Sequence, residues 1–392
     1  MLNPLAGSTS LIQFARATYN DEILYFTIPR PSDFHVHFRE EQLMRAVARD
    51  IMRHMRYLLA MPNNGPIKTI EQAVACHEKL MAIARKEVRH KVRILMTLYR
   101  TDEVTPAVIE RLARSTIVRG VKHYPPHPGA TTGSGLGIPL EEGDATYRAM
   151  EDTGVPLLGH FEEVVDKYNR VLPPAEREAY CFREKVRRLR DKYPRLRICS
   201  EHASTKEAVD FVKEDTSGRR VMTNTPQHLL FMAKDFTRRP SWAKHLKCMP
   251  IVKKPEDVEA VLDFATSGDP RVWAGSDTAP HPSQDKTKPF DECASGCWVP
   301  HAVALYALAF ERAGALDDRF ARFMSINGPT WWELPLPEQN DTIRISRETK
   351  YDIPNPAQIM DESDKTVVDI VIPLGWSDQY DRLHIGLRCD SV

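Results

Sequence analysis

His35 and His37 stand two residues apart in a short apolar run, so on a strand both imidazoles face the same side, near its C-terminal end. An HxH pair alone says little, because packed or surface histidines are the more ordinary reading. Lys122, His160, His202 and Asp277 change the weighting, since each falls at or near the end of a separate apolar run. If those runs are strands of one closed parallel barrel, their C-terminal ends open onto a single mouth. Four imidazoles, one carboxylate and one amine would then converge there from five strands. Imidazole and carboxylate suit zinc, and the set exceeds what one tetrahedral ion needs, so a two-metal site is the economical inference. Lys122 is the odd member: an ammonium beside two dications would be repelled, so this amine must be neutral or chemically modified.

The elements that must position these residues follow from periodicity. Strand patterns are the run ending Phe34-His35-Val36-His37, then Tyr57 to Pro62, Val92 to Tyr99, Val118 to Tyr124, Pro156 to Phe161, Leu196 to His202, Arg220 to Thr225 and Arg271 to Ser276. Helical patterns intervene at Gln42 to Met55, Ile70 to Lys86, Pro106 to Ala113, Asp144 to Asp152, Arg177 to Lys192, Lys206 to Val212 and Pro255 to Ala265. Val299 to Ala313 and Asp317 to Met324 continue the helical pattern after the last strand. Eight alternations give an α/β fold with a parallel sheet, and eight is the number that closes a (β/α)8 TIM barrel. A doubly wound open sheet competes, weakened because no Gly-rich fingerprint follows the first strand. The expected organisation is an N-terminal arm over residues 1–22, a catalytic barrel over 23–335 and a tail over 336–392 packed on the barrel. One strand-like run, Thr366 to Ile372, lies in that tail.

Composition agrees with one large folded unit. The chain has 392 residues, 42% hydrophobic, and its 54 Lys+Arg balance 54 Asp+Glu. Disorder, a collagen-like fibre and a nucleic-acid partner are therefore poor readings. The basic run Arg183 to Arg197 is interleaved with Glu184 and Asp191 at helical spacing and reads as a solvated face. The longest apolar run, Ala302 to Phe310, has nine residues, well short of the ~20 that span a bilayer. Met1 to Asn20 lacks the charged start and apolar core of a secretory signal, and seven cysteines show no disulfide framework. A cytoplasmic protein with free thiols is expected.

The motifs Asp33-Phe34-His35-Val36-His37-Phe38-Arg39, Met61-Pro62-Asn63, Gly120-Val121-Lys122-His123-Tyr124-Pro125, His160, Glu201-His202, Thr225-Pro226-Gln227-His228 and Gly275-Ser276-Asp277-Thr278-Ala279-Pro280-His281 resemble those of dihydroorotases. They are most similar to the compact, single-function type within the amidohydrolase superfamily, from about Leu24 to Pro335 and in the same order. The resemblance implies a zinc enzyme that interconverts L-dihydroorotate and N-carbamoyl-L-aspartate in pyrimidine synthesis. It implies that Lys122 is carboxylated to N6-carboxylysine and bridges two zinc ions. One ion would be held by His35, His37, Lys122 and Asp277, the other by Lys122, His160 and His202. A bridging hydroxide, its water brought toward a pKa of ~7 by the metals, would attack the ring amide. Asp277 would carry the proton to the leaving nitrogen.

By the same resemblance, Arg39, Asn63 and His281 bind the substrate carboxylate, backbone near Met249 and Ser295 meets the ring amides, and a loop carrying Thr131 and Thr132 closes over the substrate. Homodimers are common in the resembling family, so a homodimer is expected by analogy; no nucleic-acid or membrane partner is. The family has Gly-Glu after the fifth-strand histidine where this chain has Phe161-Glu162, so the phenyl ring must point away from the metals or narrow the pocket. His228 is assigned a supporting or packing role, and Cys293 with Cys297 is not read as a structural zinc site. Two other readings are a hydantoinase, dihydropyrimidinase or allantoinase-like enzyme, which would have no use for an Arg39–Asn63 carboxylate clamp, and a catalytically silent homologue, whose usual signature is a lost metal ligand.

Overall fold

The computed structural model describes residues 10–17, 23–63, 65–128, 130–131, 135–238, 242–348, 353–361, 363, 365–376 and 383–391. Strands β1 (Gln13–Ala17) and β2 (Ile23–Pro29) come first. Eight parallel strands follow: β3 (Asp33–Val36), β4 (Tyr57–Ala60), β5 (Arg93–Tyr99), β6 (Val118–His123), β7 (Leu157–Gly159), β8 (Ile198–Ser200), β9 (Arg220–Asn224) and β10 (Val272–Ala274), hydrogen-bonded in chain order. The sheet curls until its ends meet. His37 N–H donates to the Thr278 carbonyl and Asp277 N–H to the His35 carbonyl, each at 3.0 Å. The expected (β/α)8 barrel is what the chain builds, and three of the candidate ligands, His35, His37 and Asp277, lie on its seam.

Side chains alternate along each strand, which sorts them into two layers. Leu59, Leu95, Leu158, Cys199 and Val221 fill the barrel interior with Phe34 and Trp273. Their neighbours Leu58, Ile94, Leu157, Ile198 and Met222 face the surrounding helices in the larger core. Trp332 stacks on Phe34, ring centroids 6.0 Å apart, and Tyr57 at the start of β4 donates to the Pro335 carbonyl at 2.8 Å. These contacts close the N-terminal end of the barrel and leave the C-terminal end for chemistry.

Several elements depart from the periodicity reading. Strands expected to run to Phe161, His202 and Ser276 stop at Gly159, Ser200 and Ala274. The backbone turns at the barrel mouth: His202 and Asp277 have φ of 41° and 49°, left-handed values that no strand can hold. The helix expected over Arg177 to Lys192 is interrupted by a wide turn at Phe182–Val186. That over Asp317 to Met324 passes into another at Arg322–Ile326. The basic face is neutralised by acids from neighbouring elements, including Arg183 with Glu207 at 2.8 Å, Lys185 with Glu163 at 2.9 Å and Lys192 with Asp144 at 2.6 Å.

Chain segments on both sides of the barrel meet in one further sheet, ordered β1, β2, β11 (Thr342–Arg347) and β14 (Leu387–Ser391). The expected run Thr366 to Ile372 appears as β13 (Val367–Val371), paired with β12 (Ala357–Met360). Asp341 ties this region to the barrel, accepting from Arg30 at 2.5 Å and Arg56 at 2.6 Å. Ala302 to Phe310 lies in a helix buried on every face. Among the described residues no helix is long and apolar enough to cross a membrane.

Candidate active site

The six residues picked out as metal ligands all arrive at the barrel mouth. His35 lies in β3 and His37 just beyond it; Lys122 is in β6, and His160 directly follows β7. His202 and Asp277 sit on the turned backbone after β8 and β10. Each of the six is buried. His37 Nε2 is 3.0 Å and His35 Nε2 is 3.4 Å from Asp277 Oδ1. His35, His37 and Asp277 each offer a ligand atom within 4.8 Å of the others. Opposite them, His160 Nδ1 is 3.1 Å from His202 Nε2. The His35 and His202 rings, 4.8 Å apart, join the two groups.

Burial dominates the electrostatics. It drives His35 and His202 well below the ordinary histidine range, so both rings are neutral and offer lone pairs. Burial also pushes Asp277 up, but the His37 hydrogen bond and the nearby His35 and Lys122 overcome it and hold the carboxyl at about 2. Lys122 is fully buried, its Nζ has no hydrogen-bond partner among the described residues, and burial lowers it to about 8. Neutral imidazoles, an ionised carboxylate and a partnerless buried amine form a donor set that fits divalent metal.

Two carboxylates orient the rings. Glu201 Oε2 lies 2.5 Å from His35 Nδ1, and Glu162 Oε2 lies 2.7 Å from His160 Nε2. Such partners fix which imidazole nitrogen is free to ligate. The sequence reading assigned neither a role, although each stands beside a candidate histidine, Glu201 before His202 and Glu162 two after His160. Tyr124, which lines the pocket with its ring 5.0 Å from Lys122 Nζ, was also missed.

Arg39, Asn63, Thr131, Met249 and Ser295 line the same pocket, about 350 Å3 counted to its open mouth. Arg39 has a left-handed φ of 65°, and its guanidinium is fixed by Nε to the Pro280 carbonyl at 2.8 Å and by Nη2 to His281 Nε2 at 2.9 Å. Its Nη1 is buried with no partner among the described residues. His281 reaches the site through this contact and also lies 3.0 Å from the Ser295 carbonyl. Gly296 has a φ of 138°, and a Cβ there would meet Ala279 at 2.8 Å, so the position calls for glycine on both counts. Thr132 lies outside the described residues.

Phe161 takes the first of its two expected courses and points away from the metal ligands. Its ring packs edge-on against Phe182 at 5.7 Å, over Gly159, where any Cβ would collide with it. His228 stands apart from the ligand cluster and bonds the Pro250 carbonyl at 2.8 Å. Cys293 and Cys297 are free and buried.

An eight-stranded parallel barrel with this histidine-rich mouth is of the amidohydrolase type. A dihydroorotase from Picosynechococcus sp. is 36% identical over 359 residues, 90% of this chain and 96% of its own length. One from Halorhodospira halophila is 40% identical over 324 residues, 81% of this chain and 89% of its own. The solved structure of dihydroorotase from Saccharomyces cerevisiae, in complex with 5-fluoroorotic acid, superposes with a TM-score of 0.77 at 25% identity, over 93% of this chain and 99% of that one. L-hydantoinase from Arthrobacter aurescens shares the fold alone, with a TM-score of 0.67 at 14% identity over 90% of this chain and 84% of that one. No protein-family model matches the chain. The chain belongs to the dihydroorotase family, metal-dependent hydrolases of a cyclic amide in pyrimidine biosynthesis.

Proposed function

We propose that this chain interconverts L-dihydroorotate and N-carbamoyl-L-aspartate at a two-zinc centre in the barrel mouth. His35, His37 and Asp277 would hold one ion, His160 and His202 the other, and Lys122, as its carbamate, both. When bound, the metals supply Lewis acidity and an activated water. Carbamate formation suits Lys122: a buried amine lowered to about 8 offers the neutral nitrogen that attacks carbon dioxide, releasing one proton.

The observation that carries the choice of substrate is Arg39. With Nε and Nη2 already engaged, Nη1 is left as a fixed, buried donor at the pocket wall. Burial lowers the guanidinium to about 10, which leaves it charged at neutral pH. A carboxylate on the ring meets this donor, with Asn63 beside it and His281 bracing it. Backbone at Met249 and Ser295 orients the ring amides, and the Thr131 loop covers the substrate. Asp277 takes the proton from the water that attacks the ring carbonyl carbon, then gives it to the ring nitrogen as the C–N bond breaks. Hydantoins and dihydropyrimidines lack the carboxylate and would leave Arg39 without a counter-charge.

The test follows the ultraviolet absorbance of L-dihydroorotate with zinc-loaded protein. Asp277→Ala should lower kcat by ~10²- to 10⁴-fold, the span of one acid–base group. Arg39→Ala should act chiefly on KM. Absence of turnover in protein carrying two metals per chain, or equal turnover of dihydrouracil, would overturn the assignment.

A further inference from the structure

A second cavity, about 990 Å3 counted to its open mouth, shares no lining residue with the catalytic pocket. It lies beside the barrel seam and is walled in part by Thr278, whose carbonyl accepts from His37 N–H and whose hydroxyl accepts from Val299 N–H at 3.0 Å. His301 lines it and is only 6% exposed, yet among the described residues neither of its ring nitrogens has a hydrogen-bond partner. A buried ring with both polar atoms unanswered is uncommon and costly, and points to a partner within the cavity. Burial lowers this imidazole to about 3, so it stays neutral, with one N–H to give and one lone pair to receive.

Two further features indicate what that partner is. His301 immediately precedes the helix Ala302–Arg312, and Ala302, Val303 and Ala304 of its first turn all line the cavity. First-turn N–H groups have no acceptors within their own helix and carry the positive end of its dipole; the Ala302 N–H donates to the Val299 carbonyl at 3.2 Å, and those of Val303 and Ala304 remain for a ligand among the described residues. Arg53, at the rim, has no carboxylate within 4 Å among the described residues, whereas Arg388 on the same rim is engaged by Asp390 at 3.2 Å. Two carboxylates also line the cavity. Asp33 is occupied by the N–H groups of His35 and Ser276, and Asp50 is raised by burial against the nearby charges of Arg53 and Arg49. Ile51, Met55 and Pro354 supply apolar wall.

We propose that this cavity binds a small organic oxyanion, a carboxylate or phosphate ester with a compact apolar body. Arg53 and the N–H groups of Val303 and Ala304 hold the anionic head, and the His301 ring bonds a polar atom of the ligand.

Calorimetric titration of the zinc-loaded enzyme with phenyl phosphate, benzoate and inorganic phosphate tests this. At least one of the two aromatic anions should bind in one equivalent and more tightly than inorganic phosphate; whichever is tighter identifies the head group. Its affinity should fall at least tenfold in Arg53→Ala and in His301→Leu and stay within twofold in Arg39→Ala, whose change lies in the catalytic pocket. Arg53 is exposed, so its variant keeps the test intact if His301→Leu fails to fold. Absence of binding by either aromatic anion overturns the proposal. So does an affinity that falls in Arg39→Ala and survives in Arg53→Ala, which places the probe in the catalytic pocket.

Discussion

Two histidine–carboxylate couples meet at the barrel mouth, alike in geometry and opposite in electrostatics. Glu201 with His35 and Glu162 with His160 are both buried, at 2.5 and 2.7 Å. Burial pushes Glu201 up to about 7, and Lys122 is the cation that opposes it. Burial pushes Glu162 up as well, but the His160 hydrogen bond, with Lys253 and Arg177 nearby, brings it below the ordinary range. The same contact thus rests on different supports. The His35 side depends on Lys122, while the His160 side rests first on the His160 hydrogen bond, with Lys253 and Arg177 adding to it. What surrounds a couple decides its charge as much as the couple itself.

The harshest test of this asymmetry is Lys122→Ala. The substitution removes the amine beside Glu201, the group that under the proposed mechanism would be shared, as its carbamate, by both metals. Activity should fall by at least ~10⁴-fold, the upper reach of a single acid–base group, and zinc content per chain should fall with it. Metal analysis beside the dihydroorotate assay reads both. A variant that keeps two metals and its turnover would remove Lys122 from the centre.

A finer contrast compares Glu201→Gln with Glu162→Gln. Partners that orient a ligating histidine are worth ~10- to 100-fold in metal affinity or activity. Glu201→Gln should lie at the upper end, because Glu201 serves both sides. Its Oε2 also accepts from Thr223 Oγ1 at 3.0 Å, and that oxygen in turn accepts from His202 N–H at 2.8 Å, where the backbone is left-handed. Glu162 has no such second task, so its variant should lie at the lower end. Zinc titration against a competing chelator measures both, and equal losses would show that the Thr223 relay carries nothing.

The barrel and the six candidate ligands were legible because a parallel barrel ties two sequence signals together. A strand is a short apolar run, and its C-terminal end is where chemistry is presented. The carboxylates were harder to read, since a Glu beside a His is unremarkable until the fold shows that Glu201 bonds the histidine of a different strand, His35, rather than its neighbour His202. Strand ends were overextended for a related reason: the expected runs were carried to the candidate residues, whereas the backbone turns at the barrel mouth, with His202 and Asp277 left-handed. The sheet joining β2 to β11 and β14 pairs segments more than 300 residues apart, such as Thr27 with Arg344, and no local period announces such a partner. His301 was hidden in the same way, at the head of an apolar helix where nothing near it in sequence marks a cavity.

Glu178 offers the smallest and cleanest test of the electrostatic argument, because it is a buried carboxylate with no histidine partner. Ser204 N–H donates to it at 3.0 Å and the Ser204 hydroxyl bonds it too, yet burial outweighs these bonds and the charge of Lys253 and lifts it from 4.5 to about 7. A carboxyl raised in the folded state binds its proton there at pH values where the unfolded chain has released it. Its contribution to stability is therefore full below about pH 4.5 and is lost as pH rises toward 7. Each tenfold change in proton affinity is worth ~1.4 kcal/mol, so the loss comes to about 3 kcal/mol. Glu178→Gln keeps an acceptor for Ser204 and removes the ionisation, so the variant should gain stability relative to wild type between pH 5 and pH 8. Urea unfolding of both zinc-loaded proteins at those two pH values gives the difference directly, and other titrating groups cancel in the comparison. A difference that stays flat across the interval would mean that Glu178 ionises normally in the fold, and that burial is a weaker force than the contrast between Glu201 and Glu162 requires.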